Sequence, residues 1–259
     1  LSEARILKRL AKLLALLPLI FNLSCADAGV KHYKLQVVNT FPHDRTSYTQ
    51  GLFFYDGNMY ESTGLNGKST FRKVEIKTGK ALSRLDFDRK YFLEGSVEKD
   101  GNIYMLTWVN NLAFVYDAAT LRYKASYSYP REGWGLTTDG KSLIASDGSS
   151  YLYFMDDAYK VQRKLNVRME GRPVKFLNEL EYIDGRIWAN VYMSDMILII
   201  HPSSGNVEGV IDCTGLLPRQ LHFDDTDVLN GIAHNPEDGR IYLTGKNWCR
   251  LYEVKIVEK

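Results

Sequence analysis

Five stretches of the chain set polar or aromatic side chains at matching points of one repeated pattern. Six residues before an Asp-Gly pair stand Gln50, Glu94, Gly133 (with Trp134 beside it) and Asn178, and in the fifth stretch, with two extra residues, Asn230. Seven residues after the glycine of each pair stand Gly64, Trp108, Asp147, Tyr192 and Lys246. Positions kept only for packing would carry similar residues; these differ, and a site is expected where a regular scaffold is broken. Glu94 can take a proton and return it, and it sits between Leu93 and Gly95, where an acid gains nothing from packing. The amide of Asn178 and the ammonium of Lys246 can donate to a developing oxyanion, and Gln50 adds a second amide to the pocket. Trp108, Trp134 and Tyr192 would wall the ligand, a composition suited to a small, partly polar molecule. Plainer roles stay open: Asn230-Gly231 as a tight turn, Gln50 as a cap on strand backbone, the tryptophans as packing, Lys246 as a solvated rim charge. The five histidines are scattered without zinc-ligand spacing, so neither a metal nor another cofactor is expected.

These positions come together only if the elements carrying them are hairpins set side by side. "YTQGLFFYDGNMYESTG" (48–64) alternates apolar and polar residues around an Asp-Gly turn, and related stretches cover 93–108, 133–148, 177–195 and 229–248. The turn aspartates Asp56, Asp100, Asp139, Asp184 and Asp238 are 44, 39, 45 and 54 residues apart, enough for four short strands per repeat. A second alternating pair follows each of the first four hairpins, as in "FRKVEIKTGKALSRLDF" (71–87). Repeats of this length and content predict a β-propeller, here with five blades. The fifth repeat ends one strand short at "RLYEVKIVEK", while "YKLQVVNTF" (33–41) has no partner near it in sequence. Pairing the two closes the ring and removes two sheet edges. In such a ring the open ends of all five hairpins meet at one mouth of the channel.

The composition fits this reading. The 259 residues carry 17 Tyr, 11 Phe and 7 Pro with a formal net charge of +2, which favours strands and offers no basic stripe for nucleic acid. Residues 1–28 read as a signal peptide: basic "LSEARILKRLAK", apolar "LLALLPLIFNL", then Ala26-Asp27-Ala28 as a cleavage site. Export to the periplasm or medium is expected, with a lipid anchor at Cys25 as the lesser alternative, because Asn22 fits a lipobox poorly. The apolar run is short for a membrane span, which needs about 20 residues. Residues 29–259 are expected to form one catalytic domain, a monomer, in which Cys213 and Cys249 either pair or stay as separate thiols.

The ordered set "YTQGL", "FLEGSV", "GWGL", "LNELEYIDGRIWANV" and "VLNGIAHN…DGRIYLTGKNW" resembles the plant-type glutaminyl cyclotransferases, the papaya enzyme and its bacterial relatives, from about residue 33 to the carboxyl end. The resemblance implies a five-bladed propeller that converts an amino-terminal glutamine, free or on a peptide or protein, into pyroglutamate with loss of ammonia. It implies Glu94 as proton shuttle, with Gln50, Trp108, Trp134, Asn178 and Lys246 as pocket residues. One position departs: the papaya-like motif has Asn-Val-Trp where this chain has Asn190-Val191-Tyr192, adding a hydroxyl to the wall. Two rival readings share the architecture. A metal-dependent, lactonase-like propeller would use Glu94, Asn178, Asp147 and Asn230 as hard oxygen ligands. A non-catalytic propeller would only bind peptides at its mouth.

Overall fold

The computed structural model describes residues 29–259, so the signal-peptide reading of 1–28, including the lipid-anchor alternative at Cys25, lies outside the described residues. The architecture is all-β and propeller-like. Among the described residues there is no α-helix, and the one helical piece is the 3₁₀ turn Arg219–Leu221. No helix there is long and apolar enough to cross a membrane.

Strands follow one another into antiparallel four-stranded sheets. The first comprises Thr49–Tyr55, Asn58–Thr63, Thr70–Glu75 and Lys80–Asp86. The second runs from Leu93–Lys99 to Tyr123–Ser128 and the third from Leu136–Thr138 to Val161–Asn166. A fourth set, Leu177–Ile183 to Val207–Asp212, and a last set of three, Leu229–Asn235, Arg240–Gly245 and Arg250–Glu258, belong to one eight-stranded sheet. The strand between them is Lys31–Pro42. It pairs antiparallel with the last strand, Leu35 opposite Ile256 and Phe41 opposite Leu251, so the chain's two ends share a ladder. Its first residues, Lys31–Lys34, also run parallel to Gly209–Asp212, which joins the two sets through their outer strands.

The first strand of each set packs against the first strands of the sets on either side, and that of the last set returns to Thr49–Tyr55. Apolar side chains fill the spaces between neighbouring sheets, for example Phe53, Phe71, Leu93, Met105 and Phe114 between the first and second. Burial of this kind, at about 25 cal/mol per Å² of apolar surface, is what holds sheets that share no hydrogen-bonded ladder.

Three of the five Asp-Gly turns have both residues left-handed (Asp56 φ 48° and Gly57 φ 65°; Asp100 φ 51° and Gly101 φ 74°; Asp184 φ 47° and Gly185 φ 76°), the tight two-residue geometry. The other two differ from the sequence expectation. Thr138 pairs with Leu143 and Asn235 with Arg240, so each connection is four residues long and only its glycine is left-handed.

Candidate active site

The site begins with a defect repeated in four innermost strands. Thr49 pairs with Thr63 and Gly51 with Ser62, which leaves Gln50 as an extra residue. Glu94-Gly95 likewise oppose one residue between the pairs Leu93–Thr107 and Ser96–Met105. Asn178-Glu179 and Asn230-Gly231 do the same in the fourth and last sets. A β-bulge bends its strand and re-aims the side chain that it carries, here at the positions counted back from the turns. Glycines on the inner strands let neighbouring strands close in: after two of the bulge residues, a Cβ on Gly51 would lie 2.6 Å from Ser96 N and one on Gly95 2.4 Å from Leu136 N, and in the third set, which has no bulge, one on Gly135 would lie 2.0 Å from Asn178 O. At the far end of the hairpins the residue after the predicted one is left-handed in four of five repeats: Leu65, Gly148, Met193 and Asn247. For Leu65 and Met193 that conformation costs about 1–2 kcal/mol, so the scaffold enforces the kink that ends the strand at Gly64 and Tyr192.

The bulges and kinks enclose a cavity of about 220 Å³ lined by Gln50, Glu94, Trp108, Trp134, Asn178, Tyr192 and Lys246, together with Tyr48 and Phe92. Glu94 is 5% exposed, and burial pushes its carboxyl well above the usual range; Lys246 opposes this and Glu132 adds to it. Gln50 Nε2 donates to Glu94 Oε1 at 3.2 Å. Gln50 is held in turn by Asn230, whose Nδ2 donates to Thr49 O (3.0 Å) and to Gln50 Oε1 (3.3 Å). Lys246 is 4% exposed, and burial lowers its pKa while Glu94 and Asp227 pull it back up. Its Nζ lies 4.9 Å from the Tyr48 ring centre and 5.1 Å from that of Tyr192, and among the described residues it forms no ion pair. Tyr48 Oη donates to Asp227 Oδ2 at 2.6 Å, and burial together with that carboxylate raises its pKa.

The walls are aromatic. Trp134 meets Tyr192 edge-on with centres 5.5 Å apart, and Phe92 leans on Trp108 at 5.5 Å. Both indole N–H groups donate to one oxygen, Glu132 Oε2, at 2.9 Å from Trp108 and 3.1 Å from Trp134. Asn178 Oδ1 is buried with no hydrogen-bond partner, an acceptor aimed for a donor that the folded chain does not supply. A raised-pKa carboxylate, a buried ammonium and an unused amide, all facing one small cavity, can move a proton while holding a polarised carbonyl.

The glutamine cyclotransferase family profile matches residues 10–256. The chain belongs to the glutamine cyclotransferase family. It is 43% identical over 239 residues to a glutaminyl-peptide cyclotransferase of Arabidopsis thaliana, covering 90% of this chain and 74% of the relative. Among solved structures it is similar to the glutaminyl cyclase of Myxococcus xanthus, with a TM-score of 0.83 and 33% identity over 89% of this chain and 99% of that one.

The cyclotransferase chain brings together all seven residues singled out in its sequence. It does not bring in the other ring positions. Asp147 accepts from Ser149 N (3.1 Å) and does not line the cavity, and Gly64 leaves room for the Phe92 ring, 2.3 Å from where a Cβ would sit. Of the four oxygen ligands that the lactonase-like reading needs, only Glu94 and Asn178 line the cavity; Asn230 bonds to Thr49 and Gln50 through Nδ2 and keeps Oδ1 without a partner, but it does not line the cavity. Cys213 and Cys249 are separate free thiols. The count from the turns does not reach Tyr48 and Phe92, yet each stands two residues before a bulge residue, so strand alternation alone sets them on the same side. Glu132 and Asp227 lie outside the repeated pattern and carried no such signal.

Proposed function

We propose that this chain converts the amino-terminal glutamine of peptides and proteins into pyroglutamate with release of ammonia, using Glu94 as a single proton shuttle and no metal ion. The observation that carries the reading is the buried Glu94 carboxyl facing the same cavity as Lys246 and Asn178 between aromatic walls. The substrate brings its own nucleophile and electrophile on one short chain, so the pocket has only to freeze a cyclising conformer. An α-amine titrates near ~7.7–8, so a useful fraction is neutral at working pH. As the amine nitrogen bonds to the γ-carbonyl carbon, Glu94 accepts its proton; the same proton then passes to the carboxamide nitrogen, the C–N bond breaks, and ammonia leaves. A carboxyl whose pKa is raised by burial suits both halves of that transfer. Lys246 stabilises the oxygen that gains charge, and Asn178 Oδ1 accepts from a substrate N–H.

The finer architecture belongs to the same reading. Five four-stranded sets with a shared ladder at the chain ends support five blades around the channel, with 29–259 as one catalytic domain; the monomer is proposed as the working unit. Residues 1–28 direct export.

The deciding experiment measures ammonia release from a peptide beginning with glutamine, before and after exhaustive EDTA treatment. Release that survives EDTA is expected. No release under either condition favours a peptide-binding role. Activity that EDTA abolishes and zinc or calcium restores, at an unchanged melting temperature, overturns the metal-free mechanism.

A further inference from the structure

We infer that Glu132, outside the cavity, is a positioning residue that sets both indole walls of the site from a single carboxylate oxygen. The inference rests on the cyclotransferase reading of the cavity and adds to it a residue that no cavity-lining argument would select. Trp108 and Trp134 come from different sheets' loops, twenty-six positions apart in sequence, and no contact between their rings holds them at a fixed angle. Glu132 Oε2 supplies that link at 2.9 and 3.1 Å.

The Glu132 side chain is exposed, but the backbone that follows it is fixed. Gly133 N donates to Thr107 O (3.2 Å) and Trp108 O (3.0 Å), and a Cβ there would lie 2.6 Å from Thr107 O, so the segment bearing Glu132 is seated on the strand end that bears Trp108. On its other side Trp134 N donates to Ser146 O at 3.2 Å. Trp108 is 39% exposed, and an indole so placed would sample several rotamers without a partner for its N–H. Indole N–H is a donor only, and an ionised carboxylate is its strongest common acceptor. One oxygen accepting from both therefore couples two rings that otherwise pack separately, Trp108 on Phe92 and Trp134 on Tyr192, into a single wall. An ionised group at this rim also acts on the Glu94 carboxyl by repulsion and works in the same direction as burial.

The consequence is a split between wall geometry and charge. Glu132→Ala releases both indoles; KM for a glutaminyl peptide should rise about tenfold as the wall loses the acceptor that orders it. The tryptophan emission should shift, because two indole N–H groups lose their acceptor. Glu132→Gln keeps an acceptor oxygen and removes the charge. It should restore KM to near the parent value, while the pH limb of kcat/KM that Glu94 governs should move to lower pH, since the repulsion is gone. A purely structural side chain would move the melting temperature and leave these readouts in place. Parent-like KM and emission in Glu132→Ala overturn the clamp, whatever the pH limb does. Should Glu132→Ala fail to fold, Glu132→Gln with an unmoved pH limb and Trp134→Phe with parent KM together overturn it. Activity that survives Glu94→Gln would instead remove the shuttle and leave the KM arm of this test intact.

Discussion

Two carboxylates, Glu61 and Glu94, stand in equivalent depth of burial and are treated in opposite ways. Glu61 is 1% exposed and accepts from His43 Nε2 (3.0 Å), Thr49 Oγ1 (2.7 Å) and Ser47 Oγ (3.1 Å). Burial alone would raise its pKa, but His43, Arg72 and Thr49 outweigh it and hold the carboxylate ionised. Glu94, 5% exposed, receives one side-chain amide and keeps its raised pKa. A fold that can satisfy a buried acid fully, one strand away, has left this one short of partners. Burying an acid with few partners costs stability, a cost that fits the proton transfer proposed for Glu94. Glu61 also has a positional role: its partner His43 donates its other nitrogen to Trp248 O (2.8 Å), so the pair ties the first sheet, which carries Glu61, to the last.

The comparison can be broken first at the seam. Deleting residues 1–41 removes most of the strand that completes the last set and the segment leading to His43, whereas deleting 1–28 spares both. The longer deletion should abolish cooperative thermal unfolding, since two sheet edges become open, and the shorter should leave it intact. Matching melting curves for the two would refute the seam. Next in size is Glu61→Gln. Removing one partner of a buried ion pair costs about 3–5 kcal/mol, so this variant should unfold far earlier in denaturant while each folded molecule keeps near-parent turnover. A large loss of kcat without loss of stability would place Glu61 in the chemistry instead.

The sequence made the ring of hairpins legible because Asp-Gly turns and strand alternation are local signals, and the same count reached Gln50, Glu94, Trp108, Trp134, Asn178, Tyr192 and Lys246. What it did not reveal depends on three-dimensional closure. The bulges that aim Gln50 and Glu94 arise from a mismatch between two strands, which no single strand records. His43 and Glu61 are eighteen residues apart, and nothing in "FPHDR" or "MYEST" announces an ion pair. Asp147 occupies a ring position by count yet turns to its own loop, because an aspartate two residues before Ser149 finds local donors first.

A smaller effect is expected from pH. Burial would lower the folded pKa of His43, but Glu61 and the Trp248 carbonyl together outweigh it and raise it; its stabilisation is present below 6.5 and is lost as pH rises through the folded value. Glu61 is lowered, so its contribution is present above 4.5 and is lost as pH falls through its folded value. Burial pushes Glu181 up to about 8, which makes folding progressively less favourable between 4.5 and that value. Thermal stability should therefore be higher near pH 5.5 than near pH 8.5, and Glu181→Gln should flatten the difference. A melting temperature that climbs over this interval would show that the buried groups titrate otherwise.

The smallest effect belongs to Glu98, four residues beyond Glu94 in the same strand, where the carboxylate accepts from Gly101 N (2.6 Å) at the turn. Glu98→Gln should leave kcat and KM unchanged, and a fall in either beyond about twofold would mean that the strand as a whole transmits to the site.

The most direct test is the turnover of Glu94→Gln on a glutaminyl peptide, with melting temperature and substrate affinity measured on the same preparation. The substitution keeps size and hydrogen bonding but can neither accept nor return a proton. The expected result is a fall in kcat of roughly 10²–10⁴-fold, the range for general acid–base catalysis, with affinity little changed and stability equal or slightly higher because a buried ionisable group is gone. A variant that keeps more than about a tenth of the parent kcat, outside that range, would contradict the assignment of Glu94 as the shuttle.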